Sequence, residues 1–337
     1  TTQSSTGIAF NGHQNTFGGA PDDAFLARFL PTGVRDFGTY YGGTASDNGY
    51  TCAVSNSGDI HLVGSTLSDN AISASGHQNL RGGVSDAFLA KFDPTTSMSL
   101  RMFLQGPLNT TTLIMDDGLR IAGLVPVAEP YTALGFTGLA NTGATITTGV
   151  LLNTGNNAVV DWVLLEARDP TLNTVLSRWA LLLQRDGDVM MPTGSGISLD
   201  FPAPQVRLAV RHRNHFGCMS TAVIDTDGGT TAIDFTVAST VMYGTEPRAT
   251  VSTARALWSG DVTRDGQLKY TGSANDRDPI LVAVGSTTPN NTVAGYSLND
   301  VTMDGLVKYT GTGNDRDPIL LNVGSTTPNN VRLQQLP

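Results

Sequence analysis

The chain has 337 residues, 39% apolar and only 15% charged, with a formal net charge of −9 and a pI near 4.9. That length suits two or three domains of about 100 to 200 residues each. With only three lysines (Lys91, Lys269 and Lys308), the chain lacks the basic footprint of nucleic-acid binding and is a poor partner for anionic membranes. No apolar run approaches the ~20 residues that span a bilayer. Glycine, Thr and Ser are abundant and long helix-period segments are absent, so the composition predicts a mainly β protein of short strands and tight turns. Cys52 and Cys218 lie far apart and read as two unpaired thiols. Residue 1 is Thr and no signal-peptide pattern follows, as expected of a processed or excised chain.

Residues 1–103 are organised by an internal repeat, predicted to be a first domain. TTQSSTGIAFNGHQNTFGG at 1–19 aligns with STLSDNAISASGHQNLRGG at 65–83, and DAFLARF at 23–29 with DAFLAKF at 86–92, a period of 63 or 64 residues. Within the period stand GTYYGG (38–43) and GYTCAVSNSGDIHLVGST (49–66). The latter reads as a hairpin that turns over Ser55 to Asp59 and breaks at Gly64.

These residues resemble the bacterial, Bacteroidetes-type repeat family of seven-bladed β-propellers, which implies propeller-type blades here. A closed propeller has several blades, typically four to eight, and this chain holds fewer than two. Residue 1 corresponds to Ser65, immediately after the strand 60–64 of the other copy, so the first repeat begins in mid-blade. The expectation is an incomplete propeller whose remaining strands lie upstream or come from neighbouring chains.

Residues 104–256 carry no repeat but several strand patterns. AVVDWVLLEARD (158–169) is apolar on both alternating faces, as in a central strand. SRWALLLQRDGDVMM (177–191) has a turn at Asp186-Gly187 and reads as a hairpin. With QVRLAVRHRNH (205–215) and TTAIDFTVAS (230–239), this predicts an immunoglobulin-like β-sandwich. VVDWVLLE, QRDGDV and VRHRNH also resemble an uncharacterised module towards the C-termini of secreted Bacteroidetes-type proteins.

Residues 257–337 duplicate an acidic loop: GDVTRDGQLKYTGSANDRDP begins at Gly260, and NDVTMDGLVKYTGTGNDRDP at Asn299. Like charges this close repel, and the cost grows as water is excluded. Asp261 and Asp265 occupy positions 1 and 5 with Gly266 at 6, the opening of a loop that wraps Ca²⁺ with alternate inward oxygens and a glycine bend. Thr263 would add a hydroxyl and Gln267 a backbone carbonyl. Asp300, Thr302, Asp304 and Leu306 take the same places 39 residues on. The pair resembles dockerin, whose two calcium loops each precede a short helix, and so implies a calcium-loop and short-helix module. Positions 9 and 12 depart from that pattern, being Lys269 or Lys308 and Gly272 or Gly311. The closing carboxylate must therefore come late, from Asp276 or Asp278 and from Asp315 or Asp317; Asp276 and Asp315 are preferred, while Asp278-Pro279 and Asp317-Pro318 read as helix starts. The competing reading has Arg277, Arg316 and the lysines neutralise the acids without metal.

His212 and His215 in RHRNH suggest a metal site, but residues three apart on a strand point to opposite faces. Extending the alternation of Val206, Leu208 and Val210 sends His212 and Asn214 inward and leaves Arg207, Arg211 and Arg213 in an outward row, which could grip acidic groups of a glycan or a neighbouring subunit. Tyr40, Tyr41 and Tyr50 read as core packing rather than a sugar platform. Hydrolase, P-loop, zinc-protease and dinucleotide motifs are absent. The expectation is a non-enzymatic, calcium-stabilised structural or adhesive protein, secreted or at the cell surface, that self-associates by inter-subunit strand pairing or meets other surface proteins. The alternative is a carbohydrate-binding appendage of a larger polysaccharide-degrading enzyme, with the tandem loops as its docking module and a glycan as partner.

Overall fold

The computed structural model describes residues 1–10, 12–19, 21–29, 33, 35–55, 59–73, 76–92, 95–226 and 229–337. The protein is mainly β, with 36% strand and 8% helix. It packs as two compact units. One comprises Thr1–Thr96, Leu199–Pro204 and Asp225–Gly229; the other comprises Ser97–Ser198, Gln205–Ile224 and Thr230–Pro337.

In the first unit both copies of DAFLA(R/K)F are strands, Ala24–Phe29 and Asp86–Phe92. Their alternation buries Ala24 and Leu26 in one and Phe88, Ala90 and Phe92 in the other, against Tyr41, Ile60 and Leu62. Ala24–Phe29 pairs antiparallel with Arg35–Tyr41. Asp47–Val54, Ile60–Thr66 and Asp86–Phe92 form a three-stranded sheet in that order. The expected hairpin is present, with Val54 opposite Ile60; its turn residues Asn56, Ser57 and Gly58 lie outside the described residues. The seven-bladed propeller is not. A blade needs about four strands and a ring needs several blades, whereas the repeats form one two-stranded and one three-stranded sheet. In the second copy the strand that follows DAFLAKF, Thr96–Arg101, pairs elsewhere, because the GTYYGG segment that pairs in the first copy has no counterpart there.

The second unit is built on a six-stranded antiparallel sheet. Val159–Arg168 lies inside it, flanked by Gln205–Arg211 and Val175–Gln184, with Cys218–Met219, Ile224–Asp225 and Val189–Met190 outside these. All ten residues of Val159–Arg168 are buried, as its two-faced apolar pattern requires. The Asp186-Gly187 hairpin forms, with Gly187 at φ 94°, a left-handed turn position suited to glycine. The thiols of Cys52 and Cys218 are unpaired.

The duplicated C-terminal segment folds as two interlocked copies. Each loop leads into a three-residue strand and a short helix, Arg277–Ala283 or Arg316–Val323. The strand after each helix pairs with the other copy: Thr292–Ala294 with Leu306–Lys308, and Val331–Leu333 with Gln267–Lys269. Their shared core is made of equivalent pairs, Val262 with Val301, Leu268 with Val307, Ile280 with Ile319 and Val284 with Val323, and Phe216 from the larger sheet's surroundings joins it. Ile280 and Ile319 are fully buried. Ile319→Ala is expected to lower the unfolding free energy by about 2–5 kcal/mol, with a similar loss for Ile280→Ala. Because the two sites share one core, the double variant's loss should depart from the sum; denaturant titration of the three variants checks both points.

Candidate functional site

Each tandem loop encloses two buried carboxylates. In the first, Asp261 Oδ2 accepts the Gly266 N–H at 3.3 Å, while Asp261 Oδ1 is buried without a hydrogen-bond partner. Asp276 faces the loop from the far end. Its Oδ1 accepts the Thr263 N–H and hydroxyl, both at 3.0 Å, and its Oδ2 the Lys269 N–H at 2.9 Å. The second loop repeats this: Gly305 N–H to Asp300 Oδ2 at 2.9 Å, Thr302 hydroxyl to Asp315 Oδ1 at 3.1 Å, and Lys308 N–H to Asp315 Oδ2 at 2.7 Å. Arg264 and Met303 take positive φ, 58° and 61°, just before the glycines that complete each bend.

The basic side chains do not reach these carboxylates. Arg277 pairs with Asp278 at 2.9 Å and lies over the Tyr270 ring; Arg316 pairs with Asp317 at 3.1 Å and lies over Tyr309. Lys269 approaches Asp265 at 3.7 Å and Lys308 approaches Asp304 at 2.5 Å. Asp265 and Asp304 are thus drawn to lysine and to the backbone N–H two residues on, of Gln267 and Leu306. Accordingly, among the described residues no three His, Cys, Asp or Glu side chains converge as a ready metal-binding group. The oxygens in each loop are those of two carboxylates and a threonine, with the carbonyl of Gln267 or Leu306 alongside in sequence.

Asp278 and Asp317 have a different role. Each helix begins at the arginine before them, so they sit in its first turn rather than at its cap. The Asp278 N–H donates to Asn275 Oδ1 at 2.9 Å and Asn275 Nδ2 donates to Asp278 Oδ2 at 2.8 Å; Asn314 and Asp317 do the same. This reciprocal clasp resembles a capping box, and the asparagine before the acid is its sequence signal.

Burial makes the enclosed charges costly. It pushes Asp261 up to about 7, with Asp276 and Asp265 adding to the rise, and Asp300 up to about 7, where Asp315 adds and Arg213 opposes. Asp315 is raised to about 6, also by burial. Both loops therefore favour a proton or an external cation.

RHRNH is a buried polar knot, not the outward row its alternation suggested. The strand ends at Arg211 and the chain bends, so period two stops and Arg213 and His215 turn inward beside His212 and Asn214. Asp161, on the central strand, holds them. Its Oδ2 accepts Arg213 Nε at 2.8 Å and meets His212 Nε2 at 3.0 Å, and its Oδ1 accepts the Tyr296 hydroxyl at 2.8 Å. Arg213 lies 4.3 Å over the Tyr296 ring and donates to the Ser297 carbonyl. Asn214 Nδ2 donates to the carbonyls of Leu298 at 3.0 Å and Asp300 at 2.7 Å. The knot thus grips the backbone at the head of the second loop.

The histidine tautomers follow from their partners. The Gly106 N–H donates to His215 Nε2 at 3.2 Å, so the His215 proton sits on Nδ1. His212 Nδ1, 3.0 Å from it, then accepts, and His212 Nε2–H donates to Asp161. Burial lowers both imidazoles, His215 well below its usual value, and both stay neutral. The side chains of this His–Asp pair are enclosed, neither exposed to solvent. Of the other arginines, Arg211 lies 3.8 Å from the buried Glu166 and Arg207 donates to Asn173 at 2.9 Å. Tyr40 and Tyr41 are core residues, whereas Tyr50 is 70% exposed.

Comparison with family models, curated proteins and solved structures found no match. This removes the resemblance to seven-bladed propeller repeats, to the uncharacterised secreted module and to dockerin as a basis for assigning the chain.

The knot makes stability pH-dependent in a definite direction. Burial alone would raise Asp161, but Arg213 and His212 outweigh it and hold it at about 2. Its contribution is present above the unfolded value near ~3.9 and is lost as pH falls through about 2, a span worth about 2–3 kcal/mol. The neutral histidines contribute fully above ~6.5 and lose ground below it. Asp161→Asn is therefore expected to destabilise the protein at pH 7 and to flatten the stability profile between about pH 4 and 2, read from urea midpoints across pH.

Proposed function

We infer that this is a non-enzymatic structural or adhesive protein of the extracellular or cell-surface space, whose C-terminal module is stapled by calcium and which associates with its own kind through strand edges. The observation that carries this reading is the pair of duplicated loops in which Asp261 with Asp276, and Asp300 with Asp315, are buried without a basic side chain on them. Calcium takes six to eight oxygens from carboxylates, hydroxyls, carbonyls and water. Asp261, Thr263, Asp276 and the Gln267 carbonyl would hold one ion, and Asp300, Thr302, Asp315 and the Leu306 carbonyl the other, with Asp265 and Asp304 released from lysine to join them. An ion there would offset the like-charge repulsion that burial intensifies. Modest affinity, about 10⁻⁴ to 10⁻³ M, suits a compartment rich in calcium.

The association reading is supported by the sheet edges. Among the described residues, no strand pairs with the outer edge of Asp86–Phe92, and the one strand that pairs in a ladder with Ala24–Phe29 is Arg35–Tyr41. Leu89 is 70% exposed on the first of these strands. Unpaired edges of this kind recruit further strands. The six-stranded sheet of the second unit serves on this reading as one layer of an immunoglobulin-like support.

At ~10 mM calcium the stabilisation expected is about 1–3 kcal/mol per loop. It should appear as a raised thermal midpoint that chelator reverses and that Asp261→Asn with Asp300→Asn abolishes; an unchanged midpoint in calcium would refute the staple. Sedimentation of the wild type should show species larger than the monomer. Leu89→Lys, which places a charge on the open edge, should shift them towards monomer.

A further inference from the structure

The first unit holds another pair of enclosed carboxylates, unrelated to the C-terminal loops. Asp23 immediately precedes the strand Ala24–Phe29 and Asp47 opens the strand Asp47–Val54; neither is exposed to solvent. Asp23 Oδ2 accepts the Gly18 N–H at 2.6 Å. Asp47 Oδ2 accepts the Gly43 N–H at 2.7 Å and the Ser68 hydroxyl at 2.8 Å. The Oδ1 atoms of both are buried without a hydrogen-bond partner, and among the described residues no basic side chain pairs with either.

Gly42 stands between them. A Cβ at that position would lie 2.5 Å from Asp23 Oδ1 and 2.9 Å from Asp47 Oδ2, closer than a side chain tolerates, so both carboxylates pack against the bare Gly42 Cα and lie beside one another. Burial raises Asp23, and the charges of Asp47 and Asp22 add to the rise. The Gly42 and Gly43 carbonyls pack on Gly18, the residue whose N–H Asp23 accepts: each would lie 2.5 Å from a Cβ there.

The second repeat provides an internal comparison. Asp86 Oδ2 accepts the Gly82 N–H at 2.7 Å and Gln78 Nε2 at 2.8 Å, the clasp that Gly18 and Gln14 make on Asp23. Asp47 has no counterpart there, because Thr110 and Thr111 stand 63 and 64 residues on. Clasping the loop therefore needs one carboxylate, and the clasp does not account for the second one facing it.

We propose that Asp23 and Asp47 hold a divalent, oxygen-ligated cation of the calcium class beside Gly42, tying the GTYYGG turn to the starts of two strands. Carboxylates with backbone carbonyls and water are the donors such an ion takes. The site is independent of the C-terminal loops, and the experiment separates the two.

Bound calcium per chain is counted by equilibrium dialysis at ~10 mM calcium, in the full chain and in an Asp261→Asn, Asp300→Asn background, with circular dichroism checking the fold. The expected result is one ion retained in that background and lost on adding Asp47→Asn, Asp23→Asn or Gly42→Ala. Asp86→Asn, which touches only the clasp, should leave the count unchanged. Gly42→Ala keeps every charge and acts only by pushing the two carboxylates from their places, so its effect does not depend on removing one. A folded background chain that binds no calcium would overturn the proposal, whether or not the wild type binds calcium in its C-terminal loops. Retention of the ion in folded Asp47→Asn and Gly42→Ala would overturn it equally. Finding the pair sharing a proton, with Asp23→Asn stabilising the chain and no calcium bound, would also count against it.

Discussion

The ion pair between Asp161 and Arg213 is the constraint around which the second unit is arranged. Both groups are fully enclosed, and a lone buried charge would cost several kcal/mol. Each is therefore surrounded by partners: Asp161 by Arg213, His212, Tyr296 and the Trp162 N–H, and Arg213 by the Tyr296 ring and the Ser297 carbonyl. Asp161 sits on the central strand, while Tyr296 and Ser297 belong to the approach to the second acidic loop. Satisfying one buried charge thus fixes where the duplicated module begins its second half. Asn214 extends the same logic to the Asp300 carbonyl.

Both duplications use carboxylates as backbone anchors, with different outcomes. In the first unit Asp23 and Asp86 fasten a glycine-rich loop to the start of a strand through Gly18 and Gly82. In the C-terminal module Asp276 and Asp315 fasten the two ends of each loop together, receiving N–H groups from both. The N–H groups offset part of the desolvation of these carboxylates, and less of Asp261, whose Oδ2 accepts the Gly266 N–H while its Oδ1 has no partner. What separates the anchors from the candidate ion sites is therefore a second buried carboxylate placed opposite, not acidity as such.

The strands and the repeats were legible because their signals are local. The hairpin at 49–66, the two-faced VVDWVLLEAR and the Asp-Gly turn each require only a few neighbouring residues to be read correctly. The 39-residue duplication was legible too, whereas the core that its equivalent apolar positions share emerges only in the fold. The propeller was not legible, because a repeat motif reports the shape of a blade and not how many strands assemble around it. Arg213 was misplaced because alternation was carried past Arg211, where the strand stops. Nothing in the local pattern signals that Asp161, 52 residues earlier, is the buried charge it meets. Similarly, Asp278-Pro279 reads as a helix start because of its proline, whereas the helix begins one residue earlier and the asparagine three residues before Asp278 makes the clasp.

A net charge of −9 on a chain with three lysines gives the distribution of charge a consequence beyond any single loop. Arginines are spent on enclosed or stacked positions: Arg168 and Arg178 on Glu166, Arg213 on Asp161, Arg277 and Arg316 on tyrosines and the helix starts. The two lysines of the module reach only the outer loop acids. The inner carboxylates, in three places, are left to cations from solution or to protons. On the proposed reading such a chain would couple its own rigidity to the ionic composition around it, since the free energy of each enclosed pair depends on what neutralises it. Under the proposed reading, rigidity and association would then be strongest where divalent cations are plentiful, and the open strand edges would be presented on a framework that is fully set only there.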